Sequence, residues 1–304
     1  MTKVLSKSRF DVHRQITDKI VQAIEAGAGE FVMPWHYVGL GIGRPTNAAT
    51  GKQYQGINVV ALWAEAMLSA YGSGHWATYR QWQEVGAQVR KGERGSVVVF
   101  YKELEPDLFR QETDEPEQRF VARASHVFNA DQVDGWRPPE LEIVSAVAAV
   151  EQAEAFVEAA KADIRHGGNM ACYRPKDDYI QIPERSQFKG SPTSTATEAY
   201  YATLLHELTH WTGAKHRLDR QFGQFGDQAY AAEELVAELG AAFLCADLQI
   251  SNEPRLDHAA YLAQWVRLLG REPRALFATA REATRASDHL QELVDQAALA
   301  TGIR

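Results

Sequence analysis

The 304 residues include only two cysteines, Cys172 and Cys245. That is too few for a disulfide framework or a cysteine-based zinc cluster, and it suits a reducing compartment. No apolar run approaches the ~20 residues that a membrane-spanning helix needs. The nearest, Ile143 to Val150, ends at Glu151. Met1 to Ile20 is mixed polar and charged, without the apolar stretch or cleavage site of a signal peptide. The expectation is a soluble, cytoplasmic protein. Internal repeats and low-complexity tracts are lacking too. The four methionines, Met1, Met33, Met67 and Met170, all precede residue 171. An apolar fraction of 45% is ordinary for globular protein and excludes wholesale disorder. The length is enough for two domains.

What is present begins with His206-Glu207-Leu208-Thr209-His210. Histidines four apart share a helix face, so both imidazoles reach one ion, and the glutamate between them is placed to take a proton from water there. Thr195 with Glu198 has capping-box spacing, Ala196 to Trp211 lacks proline and glycine, and Gly213 supplies a stop. Three residues compete as third ligand. His216 completes a metzincin string through Gly213, but that class needs a methionine turn downstream, and no methionine follows His206. Ala231 to Leu248 reads as a second helix carrying Glu233, Glu234 and Glu238. Glu234 has another acid four residues on, which suits a ligand backed by a carboxylate that accepts a histidine N–H. Glu234 is therefore the first choice, Glu233 the second and His216 the third. Ala237, Gly240, Ala241 and Ala242 are small enough for the two helices to pack closely.

The net charge of −8 conceals an asymmetry. Residues 1–102 hold twelve Lys/Arg against seven Asp/Glu (+5), and the remainder holds twenty against thirty-three (−13). A basic first third suggests an anionic partner for that part alone. There Trp76, Tyr79, Arg80, Trp82, Arg90, Lys91 and Arg94 interleave rings with cations, the combination that stacks bases and tracks phosphates of single strands. Lys52 and Tyr54, in a glycine-bounded loop, add to that surface. The DNA-binding candidates are thus Lys52, Tyr54, Arg80, Trp82, Arg90, Lys91 and Arg94.

Periodicity predicts an amphipathic helix over 10–26, an irregular glycine-rich stretch over 27–56, and helices over 57–71 and 78–86. Strands are expected over 96–101 and 120–128, flanking an acidic exposed loop over 103–119. A boundary at 135–139 precedes a long helix over 141–162. Tyr179 to Pro183 reads as an edge strand suited to holding extended substrate, and the region after Arg255 reads as helical.

The motifs extend well beyond the histidines. They include Pro34-Trp35, Pro45-Thr46-Asn47, Thr50-Gly51-Lys52, Tyr54-Gln55-Gly56-Ile57-Asn58, Tyr79-Arg80-Gln81-Trp82 and the run from Gly86 to Glu93. In the second half they include Ile182-Pro183, the run from Tyr200 to Leu205, Trp211-Thr212-Gly213, Arg217-Leu218-Asp219-Arg220 and the run from Glu233 to Gly240. Across nearly its whole length the chain resembles the ArdC family of antirestriction proteins of conjugative plasmids, although Gln55 stands where relatives often have arginine. The resemblance implies a single-stranded DNA-binding domain, here 1–138, also found at the front of TraC-type primases. It implies a zincin-like metallopeptidase domain, here 141–304, and protection of incoming DNA from host restriction enzymes. By motif, His206 and His210 carry over as ligands, Glu207 as acid/base, and Glu233–Glu234 as source of the third ligand. The expected fold is α+β with two domains, the second mostly helical with a small sheet. The expected cofactor is Zn²⁺ or another divalent ion, and the expected partners are single-stranded DNA and a restriction enzyme or other protein substrate. The alternative is a DNA-binding or interaction protein whose metal site is structural and not proteolytic, with His216 as a fourth ligand able to close it. A third reading, a metzincin-type protease with incidental basic charge, rests on the same histidine.

Overall fold

A computed structural model describes residues 11–27, 43–103, 120–138, 145–191, 194–220, 222–223, 228–251 and 258–301. The Pro34-Trp35 motif, the acidic loop and the start of the long helix expected from 141 lie outside them. The first segment begins with α1 (Val12–Gly27), whose Ile16, Ile20 and Ile24 form the apolar stripe expected from their spacing. Then come β1 (Thr46–Asn47), α2 (Ile57–Ser69), β2 (His75–Ala77), α3 (Tyr79–Glu84), β3 (Gln88–Val89), β4 (Ser96–Glu103), β5 (Phe120–Asn129) and β6 (Val133–Asp134). Four strands form one sheet in the order β1-β2-β5-β4, with β4 and β5 an antiparallel ladder from Ser96↔Val127 to Glu103↔Phe120. The outer edge of β4 is bridged at Val99 by a side chain. Asn58 on α2 donates to the Val99 carbonyl and accepts the Val99 N–H, both at 2.8 Å, as a neighbouring strand would.

The second segment holds α4 (Ala146–Ala160), β7 (Asp163–His166), β8 (Cys172–Arg174), β9 (Tyr179–Ile182), α5 (Ala196–Thr212), α6 (Gln228–Asp247), α7 (His258–Arg271) and α8 (Arg274–Thr301). Its sheet runs β7-β9-β8. The strand expected at the edge, β9, is therefore central, bonded to β7 on one side and β8 on the other, and its pairing is used up. Both β8, at one edge, and β9 pack against the histidine helix. The close packing of α5 on α6 has a visible cause: a Cβ on Gly240 would lie 2.5 Å from Thr209 Cγ2.

The largest core belongs to both segments. Ile20, Trp63 and Trp76 of the first share it with Leu239, Phe243 and Trp265 of the second, all within 1% of complete burial. A second cluster, including Ile180, Leu205 and Leu208, seats the histidine helix on the three-stranded sheet. A small third cluster surrounds Trp82. No described helix is long and apolar enough to cross a membrane.

Candidate metal centre

Helix α5 starts where the sequence predicts. The Thr195 hydroxyl accepts the Glu198 N–H at 3.2 Å, and the Glu198 carboxylate accepts the Thr195 N–H at 2.8 Å. Leu204, Leu205 and Leu208 anchor the helix in the core, leaving His206 and His210 facing α6 with ring centroids 4.9 Å apart. Glu234 of α6 meets both. Its two oxygens lie 3.7 Å from His206 Nε2 and 3.7 Å from His210 Nε2. One ligand atom from each of these three residues falls within 4.8 Å of the others. Donors of a tetrahedral ion at ~2.1 Å sit roughly 3.4 Å from one another, so the separations fit a shared cation.

The far side of each imidazole faces another acid. Glu238 lies 3.5 Å from His206 Nδ1, and Glu233 lies 3.1 Å from His210 Nδ1. Both acids are buried, which fixes ring orientation and leaves each Nε2 for an ion. Burial pushes the Glu234 carboxyl upward, but the bond to His206 and the charges of His210 and His206, with Tyr230, outweigh it and bring it down to about 2. Glu233 is also held below its ordinary value, burial being overcome by His210 and Arg220.

Gly213 turns the chain, yet not to return His216. A Cβ at Gly213 would meet Phe222 Cζ at 2.7 Å and an Arg220 nitrogen at 2.9 Å, so the glycine admits Arg220 beneath the helix end. Arg220 donates to both oxygens of Glu233, at 3.0 and 2.9 Å, to the Thr212 hydroxyl at 2.8 Å and to the Thr209 carbonyl at 2.6 Å. His216 is exposed and lies 3.3 Å from Asp178, outside the cluster of three. Glu207 is buried, and its Oε2 accepts the Tyr173 N–H of β8 at 2.8 Å. The Tyr173 hydroxyl bonds Asp178, which also binds Arg217, and Arg217 stacks over Trp211 at 3.7 Å. Sequence reasoning missed Arg220 and the Tyr173 amide. Arg220 lies in a family motif, whereas a backbone donor leaves no sequence signal.

The DNA-binding candidates separate. Lys52, Arg80, Lys91 and Arg94 are exposed. Tyr54 and Trp82 are not available for stacking. Tyr54 is 6% exposed, with burial pushing its hydroxyl up to about 12, and Trp82 is fully buried and donates its indole N–H to the Phe128 carbonyl. Arg90 is exposed as well, but its guanidinium is already engaged, bonded to the Asp131 and Val133 carbonyls and paired with Glu93.

A model of zincin-like metallopeptidases matches residues 151–282, and one for the N-terminal domain of anti-restriction factor ArdC matches residues 10–133. The class is thus an ArdC-type N-terminal domain joined to a zincin-like domain. A protein of Sinorhizobium fredii (strain NBRC 101917 / NGR234), y4eC, is 46% identical over 290 residues, covering 93% of this chain and 92% of that protein. The DNA primase TraC of Escherichia coli is 36% identical over 294 residues, covering 91% of this chain but 20% of the primase. The antirestriction protein ArdC of plasmid R388 superposes in its metal-free crystal structure with a TM-score of 0.76 at 39% identity, over 94% of this chain and 99% of that one. Its Mn(II)-bound structure gives 0.74 at 40% identity, over 94% and 98%. The chain belongs to the ArdC family of antirestriction proteins.

Proposed function

We propose that this protein binds entering single-stranded DNA through its first segment and protects it from host restriction. In this reading the second segment is a metal-dependent peptidase, acting in the cytoplasm on a restriction enzyme or another protein. The observation that carries the peptidase reading is the equal approach of two imidazoles to the two oxygens of Glu234. His206, His210 and Glu234 would hold the ion. Zinc suits two nitrogens and one carboxylate, and the R388 relative has been solved with Mn(II). When bound, such an ion acts as a Lewis acid that acidifies water and polarises a carbonyl.

The chain's own groups supply the rest. The Tyr173 amide pins Oε2 of Glu207, which leaves Oε1 to take the proton from attacking water and return it to the departing amine. Glu233 and Glu238 keep the imidazoles in register, and Arg220 steadies Glu233. The metzincin reading, and a structural site closed by a fourth ligand, both call on His216, which lies 3.3 Å from Asp178.

Glu207→Gln tests the reading. The variant should retain stoichiometric metal and DNA affinity while losing ~10²–10⁴-fold in any peptide hydrolysis, as removal of an acid/base does. Antirestriction measured in cells should fall with it. Undiminished antirestriction in this variant would show that hydrolysis is not the protective act.

A further inference from the structure

The basic residues of the first segment divide once their partners are known. Arg90 is a strut: its bonds fix the turn Arg90-Lys91-Gly92-Glu93, where Gly92 takes φ +94 and the Glu93 N–H bonds the Arg90 carbonyl at 3.3 Å. Lys91, inside that turn, and Arg94 just after it are exposed and have no ion-pair partner among the described residues. Between the turn and α3 lies a recess of about 570 Å³ lined by Tyr79, Gln88, Lys91 and Phe128 among others. Its two acids, Glu93 and Asp134, are paired with Arg90 at 3.1 and 3.5 Å.

Tyr79 is the unusual member. It is 45% exposed, while Trp82, three residues on, is fully buried. Its ring meets Phe128 edge to face, at 72° with centroids 6.4 Å apart, and Gln88 donates to its hydroxyl at 2.9 Å. The second Gln88 bond, to the Val89 carbonyl at 2.9 Å, ties that amide to the frame. The ring is therefore held in place before any ligand arrives, which lowers the entropic cost of binding. Gly95 leaves room behind the Phe128 ring, since a Cβ there would stand 3.0 Å from His126 Cβ and 3.2 Å from Phe128 Cζ.

We propose that this recess is a nucleobase subsite. One base of a single strand lies on the Tyr79 ring against Phe128, and Lys91 neutralises an adjoining phosphate. The proposal rests on the single-stranded DNA reading above and says where a base is held. A fixed ring beside a free cation is the arrangement that grips single strands without regard to sequence, because every base has a stacking face.

The full-length protein titrated with fluorescent oligothymidylate at several salt concentrations tests it, with circular dichroism to verify folding. Tyr79→Ala should weaken binding about 10–100-fold at an unchanged salt slope, and Tyr79→Phe should stay within roughly threefold of the original. Lys91→Ala should weaken binding and lower the salt slope by about one. Arg165→Ala, in the other segment, should bind as the unmodified protein does. An oligonucleotide carrying 5-iododeoxyuridine should photocrosslink to Tyr79 or Phe128. Tight DNA binding that survives Tyr79→Ala, or crosslinks mapping only elsewhere, would overturn the subsite and leave the DNA reading standing. Failure of the unmodified protein to bind at low salt would remove both.

Discussion

Arg220 commits four of its five guanidinium N–H groups at once, to Glu233, Thr212 and Thr209. With its side chain 5% exposed, this cation joins the end of the histidine helix to the carboxylate that orients His210. Lysine cannot reproduce that fork, since an ammonium offers a point charge in place of planar paired donors. Arg220→Lys should therefore leave the fold intact and weaken metal binding on the order of 10–100-fold, the usual loss when a ligand's supporting partner is removed. Competition against a chromophoric chelator measures it, and an unchanged affinity would reduce Arg220 to packing. Arg220→Ala should do more, leaving Glu233 buried beside an empty space at a cost of about 3–5 kcal/mol in chemical denaturation.

Between the two site helices the controlling feature is an absence of volume. Gly240 faces Thr209, one residue before His210, and Thr209 is itself fixed by a 2.8 Å bond to the Leu205 carbonyl. Gly240→Ala should push α6 from α5 and cost roughly 1–3 kcal/mol, as overpacking does, even though alanine is the better helix former. It should also loosen the ion, because Glu234 rides on α6. A melting temperature at or above that of the unmodified protein would contradict this packing account. These helices were legible in the sequence because their signals are local: a capping box, a four-residue spacing and a run of small residues. The preference for Glu234 over its neighbour rests on another local signal, the acid four residues on, and Glu234 is the residue whose two oxygens lie 3.7 Å from the two imidazoles. The DNA surface was not, because aromatic residues read alike whether they fill a core or face solvent. Trp82 and Tyr79 differ in burial, and nothing three residues wide in the sequence says which is which. The position of β9 escaped as well, for strand order depends on partners elsewhere in the chain.

At the scale of the whole molecule the segments are joined by contacts far apart in sequence, such as the 2.8 Å bond from the Thr17 hydroxyl to the Pro273 carbonyl. Local periodicity cannot announce a core shared in this way. Arg44 is its polar counterpart. Its side chain is 4% exposed, lies 3.4 Å from Asp247 on α6, and stands 5.0 Å over the Phe243 ring. Burial raises the carboxyls of Asp247 and Asp288, and the Arg44 charge opposes both shifts. Arg44→Met keeps much of the bulk and removes that charge, so the two folded-state values should climb further. A raised carboxyl contributes stability that is complete below its ordinary value and lost as pH rises through the folded one. The variant's deficit should accordingly be small near pH 4 to 5 and grow toward pH 8, reaching on the order of 2 kcal/mol for a pair that is partly open to water. Thermal melts of both proteins across that range measure the difference. A deficit independent of pH would mean that Arg44 acts through packing on Phe243 alone.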